Sequence, residues 1–183
     1  MSQEYRSVTF SETTLTELMI PAYANFGGKV HGGILLSLMD KIAYATATKH
    51  SAMYCVTVAV EGVEFLSPVE VGDLVTLQAS VNYVGRSTMI VGIRVESLNP
   101  RLSYVRHTNS CYFTMAAKNE AGELTEVPGL ILESETHLRR FYEGCRLKML
   151  SAEKRKMLKA PLDDVDAARK ELEINGERMK INF

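Results

Sequence analysis

No stretch of this sequence comes near the ~18–20 consecutive apolar residues needed to cross a bilayer, so no membrane-spanning helix is expected. Its first residues, Met1-Ser2-Gln3-Glu4-Tyr5-Arg6, are polar and lack the apolar segment of a secretory signal. Cysteine is scarce: Cys55, Cys111 and Cys145 are an odd number, far apart, with no Cys-x-x-Cys pair. That argues against both a disulfide framework and a zinc centre. Cytoplasm is therefore the expected compartment. Charge of one sign is lacking too. Twenty-one Lys and Arg against 22 Asp and Glu leave a net −1, without the excess of basic residues that nucleic-acid phosphates demand. His31, His50, His107 and His137 do not fall at metal-ligand spacing. There is no Gly-x-Ser-x-Gly elbow, and the Gly-Gly pairs at 27–28 and 32–33 fit neither a Walker loop nor a dinucleotide fingerprint.

What is present is an ordinary globular chain of 183 residues, 46% hydrophobic and 23% charged, long enough for one domain with a real core. Residues 6–20 mix apolar positions with Thr, Ser and Glu and suggest a short strand; residues 21–33 carry four glycines and read as loop. From Ile34 to about His50 there is neither Gly nor Pro. Ile34, Leu35, Leu38, Ile42 and Ala45 share one helical face, and Leu36, Ala43 and Ala47 carry apolar character round the back. Such a helix is expected to be buried inside the domain.

The period then changes to two. Val56, Val58, Val60; Val75, Leu77, Ala79, Val81; Met89, Val91, Ile93, Val95; and Val105, His107, Asn109, Cys111, Phe113, Met115 define four alternating runs. Turns at 68–73, 85–86 and 99–100 separate them, which predicts an antiparallel meander. The economical packing is an α+β domain, a curved antiparallel sheet wrapped around the central helix. Residues 134–159 and 163–174 read as two further helices, the second ended by Gly176. The expected division is a domain at 1–132 and a C-terminal helical extension at 133–183.

Asp40 is the first candidate for chemistry. It lies about two turns into the helix, too deep to cap it, and its ridge neighbours Leu36, Ala43, Tyr44 and Ala47 offer no cation. Either it faces solvent or an arginine across a subunit contact, or it is functional, because an unpaired buried charge is costly. Gly32-Gly33 starts the helix, where free backbone N–H groups and the positive dipole end would receive a carbonyl oxygen gaining charge; a tight turn explains the pair equally. Asn25 could donate its amide to the same oxygen or form an Asx-turn. His31 could assist or cap the helix.

Several ordered motifs resemble the acyl-CoA thioesterase branch of the hotdog-fold superfamily. They are Asn25-Phe26-Gly27-Gly28-Lys29-Val30-His31-Gly32-Gly33, Met39-Asp40, Val56-Thr57-Val58-Ala59-Val60, Phe65-Leu66-Ser67-Pro68-Val69, Gly72-Asp73 and Val84-Gly85-Arg86-Ser87-Thr88-Met89. The charged stretch from Glu135 to Arg146 looks like the C-terminal helix of the same branch. The resemblance implies hydrolysis of acyl-CoA to CoA and a carboxylic acid, with no metal or other cofactor, CoA being part of substrate and product. It implies a homodimer as active unit, assembled further as a trimer of dimers, with sites at the dimer interface. Carried over, Asp40 is the base or water-orienting carboxylate, Thr57 its support, Asn25 a residue of the opposing subunit and Gly33 N–H the carbonyl polariser. His31 and Gly32 line the substrate site, and Gly85, Arg86 and Ser87 the CoA groove. Two rival expectations are a hotdog hydratase or dehydratase acting on CoA thioesters, and an acyl-CoA-binding module without turnover.

Overall fold

The structure, a computed structural model, describes residues 4–175 and 177. Alternating burial drives the central strands. On β4 (Leu74–Val84) and β5 (Thr88–Asn99) the residues Val75, Leu77, Ala79 and Val81, and Met89, Val91, Ile93 and Val95, are buried as the period of two demands. With β6 (Tyr104–Lys118), β2 (Thr13–Leu18) and β3 (Tyr54–Phe65) they form a five-stranded antiparallel sheet in the order β2-β4-β5-β6-β3. Helix α2 (Gly32–Ser51) lies against its inner face, burying Leu35, Leu38, Met39, Ile42, Ala43 and Ala47 in one core with those strands. The α+β arrangement of a sheet around a central helix is the one expected. Losing the buried atoms of Leu38 or Met39 from this core would cost about 2–5 kcal/mol.

Several local expectations are corrected. Residues 6–20 form two strands, β1 (Tyr5–Ser7) and β2, separated by a helical turn α1 (Val8–Ser11) that Ser7 caps. β1 pairs in parallel with β7 (Gly129–Ile131) in a separate two-stranded sheet. The meander comprises β4, β5 and β6, while β3 pairs with β6 and sits at the edge. Segment 66–73 is thus a crossover, held down at both ends rather than folded as a hairpin turn. Val30 N–H donates to Val69 O at 2.9 Å, and Met19 and the 72–73 peptides exchange hydrogen bonds of 2.9 and 2.7 Å. Asp73 is fully buried beneath it, accepting from Ser97 Oγ (2.5 Å), Asn99 Nδ2 (2.9 Å) and Glu70 N–H (3.3 Å), with Arg106 at 3.6 Å. Those partners offset the cost of a buried carboxylate.

Val58 and Val60 of β3 are not buried in the core: they are 50% and 46% exposed. Register shifts between Thr57 and Ala59 and between Glu61 and Glu64 break the alternation on this edge strand. Val105 and His107, at the start of β6, also escape burial. Nor is α2 buried all round. Leu36, Ser37, Asp40, Lys41, Tyr44 and Ala45 form an open stripe along it.

Two compact units divide inside helix α3 (Glu135–Lys159), between Cys145 and Arg146. α4 (Val165–Ile174) begins at its cap Asp164, whose carboxylate accepts from Ala167 N–H at 2.8 Å. The expected stop at Gly176 lies outside the described residues. Among the described residues no helix is long and apolar enough to cross a membrane.

His50, fully buried on the last turn of α2, carries a pH-dependence into this fold. Its Nε2 lies 3.0 Å from Pro128 O, and Nδ1 has no partner among the described residues. Burial pushes its pKa below the ordinary histidine value, with the Pro128 carbonyl opposing. The folded chain therefore holds this proton less readily than the unfolded chain. The resulting stability is present above about pH 6.5 and is lost as pH falls below that value. Between about pH 7 and about pH 5, Tm is expected to fall more steeply in the wild type than in His50→Gln, as thermal melts at matched ionic strength would record.

Candidate active site

The open stripe of α2 and the outer edge of β3 enclose one groove, of about 390 Å³, lined by Asp40, Lys41, Tyr44, Tyr54, Cys55, Val56 and Thr57. Asp40 is exposed here because its position on the helix points away from the sheet, over the edge where β3 ends the array. Thr57 stands opposite and donates its hydroxyl proton to Asp40 Oδ1 at 2.6 Å. Among the described residues no cation is paired with Asp40, so its second oxygen is open to the groove. Tyr44 and Tyr54 cross edge to face beside it, with centroids 6.3 Å apart. Sequence reasoning did not single out this pair. Tyr44 could have been found, since it lies four residues beyond Asp40 on the same ridge; Tyr54 is brought there only by the return of β3.

The glycine-rich segment is at the other end of the helix. Tyr23 O accepts from His31 N–H at 2.8 Å, and Lys29 Nζ meets Glu70 Oε1 at 2.6 Å, so both flanks of the loop are tied down. Within it Asn25 Oδ1 accepts from Gly27 N–H (2.8 Å) and Lys29 N–H (3.1 Å), forming the Asx-turn. That turn occupies only the oxygen and leaves the amide N–H groups of Asn25 without a partner among the described residues. His31 is the helix cap: Nδ1 accepts from Gly33 N–H at 2.9 Å. A Cβ at Gly33 would approach this ring to 2.8 Å, so glycine is what lets the imidazole lie over the helix end. Gly32 is likewise overlain by the Phe65 ring, 3.3 Å from where a Cβ would sit.

Gly33 and Asp40 are seven residues apart on one helix, about 10.5 Å along its axis at 1.5 Å per residue. One chain therefore cannot apply Gly33 N–H and the Asp40 carboxylate to the same small group. Gly85, Arg86 and Ser87 form the β4–β5 turn, where Gly85 N–H donates to Thr88 O at 2.7 Å. The Arg86 guanidinium rests on Glu126 at 3.0 Å, both side chains widely exposed. Thr88 pairs with Ala116 and Val56 pairs with the same Ala116, so this turn lies at the Thr57 end of the sheet, about two strand spacings (~10 Å) from β3.

Comparison with known proteins bears on the family. The thioesterase superfamily model matches residues 27–104. Protein VdlD of Helicobacter pylori is 45% identical over 130 residues, which cover 71% of this chain and 74% of that one. The cytosolic acyl coenzyme A thioester hydrolase of Rattus norvegicus is 28% identical over 148 residues; the match takes in 79% of this chain but only 38% of the longer relative. A crystal structure of an apo-hexameric acyl-CoA thioesterase superposes with a TM-score of 0.81 at 32% identity, covering 85% of this chain and 99% of that one. With sheet, central helix and motif order in agreement, the chain belongs to the hotdog-fold acyl-CoA thioesterase family of the thioesterase superfamily.

Proposed function

We propose that this protein hydrolyses acyl-CoA to CoA and a carboxylic acid, with Asp40 directing the water. The observation that carries the reading is a carboxylate, fixed by Thr57 on one oxygen, open on the other and paired with no cation among the described residues, in a groove beside an apolar sheet edge. Asp40 accepts a proton from a bound water as its oxygen attacks the thioester carbonyl carbon. The carbonyl oxygen gains charge and is met by Gly33 N–H and the Asn25 amide. Collapse of the tetrahedral species breaks the C–S bond and releases CoA thiolate, which takes up a proton. General-base help of this kind is worth typically ~10²–10⁴ in rate, and one oxyanion donor ~10²–10³. Gly33 N–H is reached when the exposed His31 ring swings off it, with His31 and Gly32 then lining the substrate.

The ~10.5 Å helix spacing supports a composite site, its Asp40 from one subunit and its Asn25 from the other. An exposed sheet edge supports such a dimer. β3 is the last strand of its sheet and bears Val58, Val60 and Phe65, all about half exposed, and Phe26 projects fully into solvent. Further assembly as a trimer of dimers follows the hexameric relative, and a cytoplasmic location follows the cytosolic one. No metal or other cofactor enters the proposed reaction. At the turn, a surface ion pair such as Arg86–Glu126 is worth only ~0–1 kcal/mol, so Arg86 can exchange Glu126 for a CoA phosphate, while Gly85 and Ser87 offer backbone to pantetheine. The functional division we propose is a domain at 1–132 and an extension from 133, the first part of which, to Cys145, belongs to the same compact unit as the domain.

Release of free thiol from saturated acyl-CoAs of increasing chain length tests the activity. A hydratase or dehydratase leaves a saturated thioester untouched, and a binding module retains CoA esters without releasing thiol; either outcome sinks the proposal. Thr57→Val, which removes the donor and keeps the shape, is expected to lower kcat about tenfold, the worth of a hydrogen bond to a charged group. Thr57→Ser should retain most of the rate, and steady-state kinetics of the two variants separate the hydroxyl from the methyl.

A further inference from the structure

The outer face of the sheet, opposite to α2, holds a second cavity of about 390 Å³ beneath the first turns of α3. A helix laid on a sheet normally covers apolar side chains. Here one corner of the contact is apolar, where Phe141 packs tilted against Tyr83 with centroids 5.1 Å apart and Gly144 admits the Tyr83 Cβ. Beyond that corner the sheet is polar, with Ser80, Asn82 and Tyr112 around Gly92. A Cβ at Gly92 would come within 2.2 Å of Asn82 Nδ2, so glycine makes room for the amide lying across β5.

The groups facing this space include the Asn82 amide, Arg139, Arg140 and the Tyr112 hydroxyl as donors, beside two carboxylates, Glu12 and Glu143. Asn82 is only 5% exposed; its Oδ1 is satisfied by Ser80 Oγ at 2.9 Å, and its Nδ2 has no acceptor among the described residues. Arg140, half-buried, likewise has no carboxylate partner among them, whereas Arg139 is joined to Glu143 at 2.5 Å. Burial, reinforced by Glu143, raises the Tyr112 pKa, so its phenol stays protonated and can donate. The Asn82 amide, on a side chain nine-tenths buried, and the Arg140 guanidinium line one cavity with no protein acceptor of their own among the described residues, so one acceptor from outside can meet both.

We propose that this outer-face cavity binds a small organic oxyanion, a phosphate- or carboxylate-bearing molecule, held by Arg140, Asn82 Nδ2 and the Tyr112 hydroxyl. The volume falls within the ~300–1,000 Å³ of small-molecule sites and exceeds the needs of a bare ion. The site is on the face away from Asp40, and the inference does not depend on the hydrolytic reading.

Isothermal titration of the full-length protein with pyrophosphate and, separately, succinate at constant ionic strength tests it. Saturable binding of at least one probe is expected, and which one binds assigns the ligand to the phosphate or the carboxylate class. Arg140→Gln should weaken that binding at least about tenfold while leaving the ligand-free Tm unchanged, as loss of a charge-assisted hydrogen bond requires. Tyr112→Phe, which removes one donor and no charge, should weaken it by a smaller factor. Absence of saturable binding by both probes overturns the proposal. So does binding that is untouched by both variants, or binding that disappears with Arg86→Gln while surviving Arg140→Gln, which would put the anion at the β4–β5 turn.

Discussion

Asp40→Ala is expected to lower kcat at least ~10²-fold with the fold intact, because the proposed general base is worth typically ~10²–10⁴. The fold should survive since Asp40 is exposed; Thr57 is its hydrogen-bond partner, and that hydroxyl can turn to water. Asp40→Asn should behave alike, keeping shape and the Thr57 contact while losing proton affinity. Circular dichroism and melting curves establish folding, and thiol release at saturating substrate measures kcat. Wild-type turnover by a folded Asp40→Ala protein would remove the proposed mechanism while leaving the family assignment untouched.

The second large effect concerns the composite site. Asn25→Ala alone is expected to be nearly inactive, by the ~10²–10³ attached to one oxyanion donor. When Asn25→Ala and Asp40→Ala chains are unfolded together and refolded, half of the dimers become mixed. Each mixed dimer regains one intact site, so about a quarter of wild-type activity should return from two inactive parents, as two-fold symmetry dictates. If exchange is verified by differently tagged chains and no activity returns, Asn25 and Asp40 do not cooperate across the axis. The same mixture separates this arrangement from a site within one chain, which would recover nothing.

Much of this molecule was legible in its residues because the relevant forces are local. The period of two in Val75–Val81 and Met89–Val95 matches the buried rows of β4 and β5, since consecutive side chains on a strand must point to opposite faces. The helix from Ile34 to His50 is extended by only two residues at its start and one at its end, where His31 supplies the cap and Ala52 turns left-handed at φ 57°. Asp40 could be suspected because nothing at i±3 or i±4 neutralised it, which is also a local property of a helix. Thr57, by contrast, carried no signal of its own beyond the resemblance; the hydroxyl meets the carboxylate because β3 returns alongside α2.

Errors arose where the third dimension overrode periodicity. Val56, Val58 and Val60 alternate in sequence as an inward row would, yet β3 pairs with β6 at the sheet's edge, where Val58 and Val60 stay about half exposed. Hydrophobicity alone does not distinguish a residue meant for its own core from one meant for a second subunit. The same ambiguity hid the open stripe of α2. Segment 66–73 looked like a hairpin turn because its composition suits one, and only the buried Asp73 cluster and the bonds to Val30 and Met19 show it as a crossover.

By itself the sequence determined the two kinds of element, the α+β class, the central helix and the carboxylate within it, because backbone geometry imposes those periods residue by residue. Tertiary structure alone decided which strand lies at the edge, that Thr57 rather than a cation holds Asp40, and that Arg140, Asn82 and Tyr112 surround one cavity. Those are meetings between residues distant along the chain. Their proximity follows from packing of whole faces, which no local pattern encodes.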